Sequence, residues 1–88
     1  MQAWKIVVPT SKFDPELRAH DGHEWIYVLS GRVRLVLGEH DWVLEPGEVV
    51  EFDTRVPHWF GSTGEAAAEV LSIFGRPGER MRHRSPEA

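Results

Sequence analysis

The chain has 88 residues and a formal net charge of −4, so it is long enough for one hydrophobic core and disfavours nucleic-acid binding by its overall field. Because it has no cysteine, it can form neither a disulfide framework nor a thiolate metal site. No stretch approaches the roughly 20 apolar residues of a membrane span, and the N-terminus lacks the apolar core of a signal peptide, so we expect a cytoplasmic protein with no membrane partner.

Apolar residues come in short runs between turn residues, and no segment keeps a helical period for three turns. This pattern predicts an all-β chain. Many short strands at even spacing are typical of a sandwich or a small barrel. The predicted strands, in chain order, are Trp4–Val8, Glu24–Leu29, Val33–Leu37, Trp42–Leu44, Val49–Phe52, Trp59–Phe60 and Glu69–Phe74.

One segment has a second interpretation, because Glu65 to Leu71 combines residues of good helix propensity with Ser62 or Thr63 as possible caps. We favour a strand from Glu69, since the residues that follow are β-branched and aromatic. Side chains predicted to fill the barrel are Val33, Leu35, Leu37, Val43, Val49 and Leu71.

The composition changes near the C-terminus, where an arginine-rich run follows Gly78. Acidic residues interrupt this run and no aromatic platform accompanies it, so we interpret it as a solvated tail and not as a nucleic-acid arm. The predicted organisation is a barrel over residues 1–78 and a polar tail over residues 79–88.

Three residues carry the chemistry of greatest interest. His20 and Glu24 lie four apart before one predicted strand, and His58 follows Pro57 before another. Imidazole nitrogens and a carboxylate oxygen are ligands that a divalent ion selects. The alternative is that His20 is an exposed loop histidine, Glu24 a surface carboxylate and His58 a turn residue.

These residues resemble the first motif of the cupin family, small double-stranded β-barrels of the jelly-roll kind. That motif ends in His, three or four residues, Glu, six residues and Gly, and here His20, Glu24 and Gly31 take those places. In the second motif, Gly47 and His58 match and the other positions differ. The resemblance covers about Trp4 to Phe74 and implies a single small cupin barrel.

The departures from the cupin motifs concern the site. Lys12 and Arg18 stand where the family has the opening Gly and an earlier His. The resemblance therefore implies three metal ligands, His20, Glu24 and His58, for one divalent ion such as zinc, iron, manganese or nickel. Arg18 would repel a cation but would pair with an anionic ligand, so an inward-pointing Arg18 predicts an acid-binding pocket.

Aromatic side chains are the predicted walls of the cavity, with Phe52 and Phe60 the strongest candidates for core. Tyr27 completes the predicted ligand-binding set of Arg18, His20, Glu24, His58 and Tyr27. Trp59 follows His58 directly and should therefore face outward, where it could serve a dimer interface.

Longer phrases, among them Glu24–Gly31 and Glu51–Phe60, resemble the C-terminal cupin half of bacterial helix-turn-helix regulators of the Xre type. This resemblance implies a small-molecule-sensing domain that binds an effector, while a separate helical half binds DNA. We expect a homodimer and no direct contact of this domain with nucleic acid. Two alternatives stay open: a small metal-dependent cupin enzyme of the dioxygenase, isomerase or epimerase type, and a structural barrel with a vestigial cavity.

Overall fold

The computed structural model describes residues 2–10, 15–64 and 66–76. Within those ranges the chain is all-β, as predicted, and every named element is a strand. None of these residues belongs to a helix long and apolar enough to cross a membrane. The strands are β1 Gln2–Val8, β2 His23–Ser30, β3 Val33–Leu37, β4 His40–Leu44, β5 Val49–Asp53, β6 His58–Ser62 and β7 Ala68–Gly75.

The strands form two antiparallel sheets, in agreement with a small jelly-roll barrel. One sheet has the order β1-β7-β2-β5 and the other the order β4-β3-β6. Most neighbouring strands are distant in sequence, since β2 pairs with β7 and β3 pairs with β6, whereas β3 and β4 are consecutive and form a hairpin. The fold therefore brings the first and second halves of the chain side by side.

Residues alternate between the two faces of each strand, and this alternation defines the core. In β2 the buried positions are Glu24, Ile26 and Val28, while the residues between them are only half-buried. The same period in β3 buries Val33 and Leu35. The core consists of Val8, Ile26, Val28, Val33, Leu35, Leu44, Phe52, Ala68 and Val70, with Leu37 and Phe60 among the side chains packed against it.

Three residues expected to fill the barrel do not do so. Val43 and Val49 are about half exposed, at 50% and 49%. Leu71 lies between the buried Val70 and Ser72, so its side chain points to the outer face of β7. The apolar character of these residues was apparent in the sequence, but the strand face that each occupies was not.

β7 begins at Ala68, so the strand interpretation of this segment is confirmed over the helical one. Glu65, Lys12, the predicted boundary at residue 78 and the predicted tail over residues 79–88 lie outside the described residues.

Candidate functional site

Glu24 lies near the start of β2, with its side chain on the inward face of the strand. It is the only charged residue on the inward face of this strand, and its side chain is buried. Ser72 on β7 donates a hydrogen bond of 2.9 Å from its Oγ to Glu24 Oε2. The pair joins residues 48 apart in the chain, and it holds the carboxylate against the sheet that contains both β2 and β7.

His58 opens β6 and faces the same interior. Its ring is buried and lies 5.2 Å, centroid to centroid, from the ring of Phe52. The Nδ1 atom lies 2.9 Å from the carbonyl oxygen of Val56. Because a carbonyl can only accept, Nδ1 must carry the proton, and Nε2 is left to act as an acceptor or as a metal ligand.

The turn before His58 is fixed by a charged pair. Arg55 donates hydrogen bonds to the Asp53 carboxylate from its backbone N–H and from its guanidinium. The guanidinium hydrogen bond is the main reason that the pKa of Asp53 is lowered to about 2. This local structure helps to place the carbonyl of Val56, which in turn orients the imidazole of His58.

The segment before β2 is attached to this turn through the backbone. Arg18 and His58 exchange two backbone hydrogen bonds, of 3.0 and 2.8 Å. The His20 N–H donates to the carbonyl of Thr54 at 2.9 Å. Opposed residues of an antiparallel pair project to the same side, so this pairing puts the Arg18 and His58 side chains on one face.

His20 completes this arrangement. Its ring meets the ring of His58 edge to face at 5.0 Å and lies 5.6 Å from the ring of Phe74. Gly22 makes the approach possible, since its φ of 136° is strained for other residues and a Cβ there would lie 2.5 Å from a Phe74 ring atom. The loop can therefore fold down onto β7 only with glycine at this position.

Arg18, His20 and His58 line one cavity of about 280 Å³. Three of its lining residues, Glu16, Arg18 and His20, are exposed, so the cavity opens to solvent on their side. Arg18 makes no ion pair with any residue in the three described ranges. The complete lining is Glu16, Arg18, His20, His58, Trp59 and Phe60.

The structure thus brings Arg18, His20 and His58 to one cavity, while two predicted ligand-binding residues lie elsewhere. Glu24 is buried beside Ser72 and does not line the cavity. Tyr27 follows Glu24 by three positions and so faces the opposite side of β2, where its ring stacks on that of Trp25 at 6.1 Å. An odd spacing along a strand separates these two candidates.

The expected metal site needs His20, Glu24 and His58 to converge. Among the residues that the structure describes, no three His, Asp or Glu side chains are gathered closely enough to hold a metal ion. The donor types suit a divalent ion, and Ser72 engages only Oε2 of the carboxylate, but His20, Glu24 and His58 do not form such a group in this arrangement. The arrangement described here therefore does not fit a three-ligand metal centre.

Sequence reasoning missed three residues in or near the site. No local sequence pattern pointed to Ser72, because its hydrogen-bond partner Glu24 is 48 residues away in the chain. Thr54 has a fully buried Oγ1 with no hydrogen-bond partner among the residues that the structure describes, and its carbonyl accepts a hydrogen bond from the His20 N–H. Glu16 lines the cavity but was not predicted; its two-residue spacing from Arg18 was the available signal.

The aromatic residues divide between the two faces of β6. Phe60 lies on the inward side and packs against the core. Trp59 lies under the guanidinium of Arg34 at 5.9 Å, on the outer face, although it also contributes to the cavity rim. The outward orientation predicted for Trp59 agrees with this contact.

The chain matches the cupin-domain family over residues 4–74, and it therefore belongs to the cupin family. No curated protein is similar enough to the sequence to count as a match.

Solved structures share the fold at low sequence identity. Iron(II) HppE has a TM-score of 0.72 and 23% identity, over 82% of this chain and 41% of that one. Hydroxypropylphosphonic acid epoxidase from S. wedmorenis in complex with fosfomycin has a TM-score of 0.67 and 22% identity, over 83% and 41%. An HTH_3 family transcriptional regulator from Vibrio cholerae has a TM-score of 0.70 and 20% identity, over 85% and 42%. The chain spans about two fifths of the length of these structures, and the likeness shows the fold.

Proposed function

We propose that this cupin domain binds a small anionic molecule, such as a carboxylate, phosphate or phosphonate, and serves as the effector-binding part of a bacterial transcriptional regulator. One observation carries the proposal: Arg18 and two imidazoles line the same open cavity of about 280 Å³. This volume is close to the lower end of the range for small-molecule sites.

The charges around the cavity favour an anion. A guanidinium pairs with carboxylate or phosphate oxygens through two parallel hydrogen bonds, and Arg18 makes no ion pair within the described ranges that would compete. His58 presents Nε2, which donates a hydrogen bond when the ring is protonated. Glu16 repels anions at one side of the cavity, so it favours a ligand whose other end carries a hydrogen-bond donor.

The regulatory part of the proposal rests on the resemblance to Xre-type sensor domains and on the regulator from Vibrio cholerae, which shares the fold. In this proposal the domain is a cytoplasmic homodimer, and DNA is bound by a separate helical half and not by the barrel. Effector binding biases the geometry of the dimer, because a ligand shifts an equilibrium only through its different affinities for the two states.

A thermal-shift screen tests the anion site. Acetate, malonate, succinate, inorganic phosphate and methylphosphonate are titrated against the parent protein and against Arg18→Gln and His58→Gln. A ligand that binds the folded state raises the melting temperature, and we expect both variants to weaken the best anion at least about tenfold. His40→Gln, an exposed change outside the cavity lining, is the matched control and should bind like the parent. Equal responses of Arg18→Gln and the parent would exclude the proposed anion site.

The second candidate is a metal-dependent cupin enzyme, with His20, Glu24 and His58 as the ligands of one divalent ion. The free Nε2 of His58 and the ring of His20 at 5.0 Å favour it. The Ser72 hydrogen bond engages Oε2 of Glu24 and leaves Oε1 as the oxygen that would bind the ion once the three side chains converge. Elemental analysis of protein purified without chelator decides the matter, and less than about a tenth of an equivalent of zinc, iron, manganese or nickel would exclude a resident metal.

A further inference from the structure

Two opposite charges line the same cavity without pairing with each other. Glu16 and Arg18 both belong to its lining, and neither forms an ion pair with any residue in the described ranges. With neutral imidazoles, the formal charge of the lining is zero, because it contains one carboxylate and one guanidinium. A ligand that matches this lining needs a negative group for Arg18 and a positive group for Glu16.

The backbone before β2 sets the separation of these two charges. Glu16, Arg18 and His20 are alternate residues that all line the cavity, whereas Leu17 between them does not. Such alternation is typical of an extended backbone, and two backbone hydrogen bonds between Arg18 and His58 hold the segment in place. Alternate residues of an extended chain are about 6.5 Å apart. The carboxylate and the guanidinium therefore occupy successive positions along one wall of the cavity.

We infer that the ligand of this cavity is a short zwitterion, either an amino acid or an aminophosphonate, with its acid group at Arg18 and a primary ammonium group at Glu16. This inference rests on the proposed function, because it takes the binding of an acid group by Arg18 as given. The ammonium group donates hydrogen bonds to the Glu16 carboxylate, which is an acceptor when ionised. A hydrogen bond between two charged groups is shorter and stronger than one between neutral groups.

The spacing of the charges and the other walls of the cavity select the length of the ligand. About two to four methylene groups between the ammonium and the acid span a separation near 6.5 Å, because covalent bonds are roughly 1.5 Å long and both charged side chains are flexible. Trp59 and Phe60 contribute half-buried rings to the lining, which suit an apolar methylene chain. A ligand with two acid groups is disfavoured, since its second negative charge would lie beside Glu16.

The preference for a zwitterion should be modest, because Glu16 is exposed. An ion pair at an exposed site typically changes a dissociation constant by a factor of about 1.5 to 5. We therefore expect an amino acid to bind about three- to fivefold more tightly than the same acid without its ammonium group. The preference should shrink as the salt concentration is raised from about 20 to about 500 mM, because dissolved ions screen exposed charges.

NMR titration of the full chain measures this preference as a ratio of two dissociation constants. Two matched pairs of probes are compared, γ-aminobutyrate with butyrate and aminoethylphosphonate with ethylphosphonate, and the ratio is taken from the pair that binds the parent more tightly. In Glu16→Gln the ratio should fall to about one, and in Glu16→Lys it should reverse in favour of the plain acid. A loss of folding cannot produce such a reversal. Glu39→Gln is the matched control and should keep the ratio of the parent, because Glu39 is an exposed carboxylate outside the lining.

Arg18→Gln separates a failure of the zwitterion from a failure of the anion site. This variant should weaken all four probes, since it removes the partner of the acid group. If no probe binds the parent, or if Arg18→Gln binds every probe as the parent does, both proposals fail. If the plain acids bind and depend on Arg18 while the parent shows no preference for the amine-bearing probe, the anion site stands and the zwitterion is excluded. A preference that Glu16→Gln leaves unchanged also excludes the zwitterion.

Discussion

The hydrogen bond between Ser72 and Glu24 is the interior contact whose loss should be easiest to measure. Ser72→Ala removes only the hydroxyl group. Ser72 is 2% exposed, on the strand that lies between β1 and β2, so water has little access to replace the hydroxyl. It is the only hydrogen bond that the Glu24 carboxylate accepts from the residues described in the structure. The substitution therefore leaves a buried carboxylate without that donor.

The expected cost follows from the type of hydrogen bond. A hydrogen bond to a charged group contributes about 1.5–3 kcal/mol, and the 8% exposure of Glu24 allows water to recover part of it. We expect a loss of about 2 kcal/mol in the free energy of unfolding. For a domain of this size that corresponds to a fall of roughly 8–16 °C in melting temperature.

Urea unfolding and calorimetry measure the effect, with Ser30→Ala as the control, because Ser30 makes an exposed hydrogen bond to Glu69. The control should stay within about 0.5 kcal/mol of the parent. Glu24→Gln and the double variant complete a thermodynamic cycle, and a coupling energy of about 1 kcal/mol is expected between the two positions. If Ser72→Ala unfolds like the control, the Ser72 hydroxyl does not hold Glu24 as described.

Three further predictions concern the loop, the turn and the core. Gly22→Ala should lower the free energy of unfolding in urea by about 1–3 kcal/mol, because the φ of Gly22 is 136° and an added Cβ would meet an aromatic ring. Gly64→Ala should change it by less than about 0.5 kcal/mol, because a Cβ there would have only ordinary contacts at 3.8 Å. The Asp53 carboxyl should titrate near pH 2 by NMR, so its favourable contact with Arg55 is present at neutral pH and is lost as the pH falls toward 2. Arg55→Gln should return the pKa of Asp53 toward its ordinary value, and an unchanged titration would contradict the role of the Arg55 guanidinium. Leu35→Ala, at a fully buried position, should destabilise the chain by about 2–5 kcal/mol, and a loss below about 1 kcal/mol would show that the core is looser than described.

Much of the fold could be predicted from local sequence patterns. Alternation in β3 and the turn residues around each strand predicted an all-β chain, and the bounds predicted for Val33–Leu37 are those observed. The two-motif spacing of His20, Glu24 and His58 predicted the cupin family, which the match over residues 4–74 confirms. These features are local, because strand propensity, turn chemistry and motif spacing depend on neighbours in the chain.

The site was only partly predictable. The sequence indicated His20 and His58 as candidates, and it raised the inward orientation of Arg18 as a condition for an acid-binding pocket. The pairing of Arg18 with His58 that puts both on one face joins residues 40 apart, and no local pattern encodes it. Tyr27, which the sequence reasoning grouped with Glu24, lies on the opposite face of β2, because residues three apart along a strand point to opposite sides.

By itself, the sequence determined which segments become strands and which residue types are available for chemistry, because both depend on the chain over a few residues. Only the tertiary structure decided that Ser72 engages Glu24 and that Arg18, His20 and His58 share a cavity. These outcomes depend on strand order and register, which bring distant segments together, and a shift of one residue in register would send each side chain to the other face.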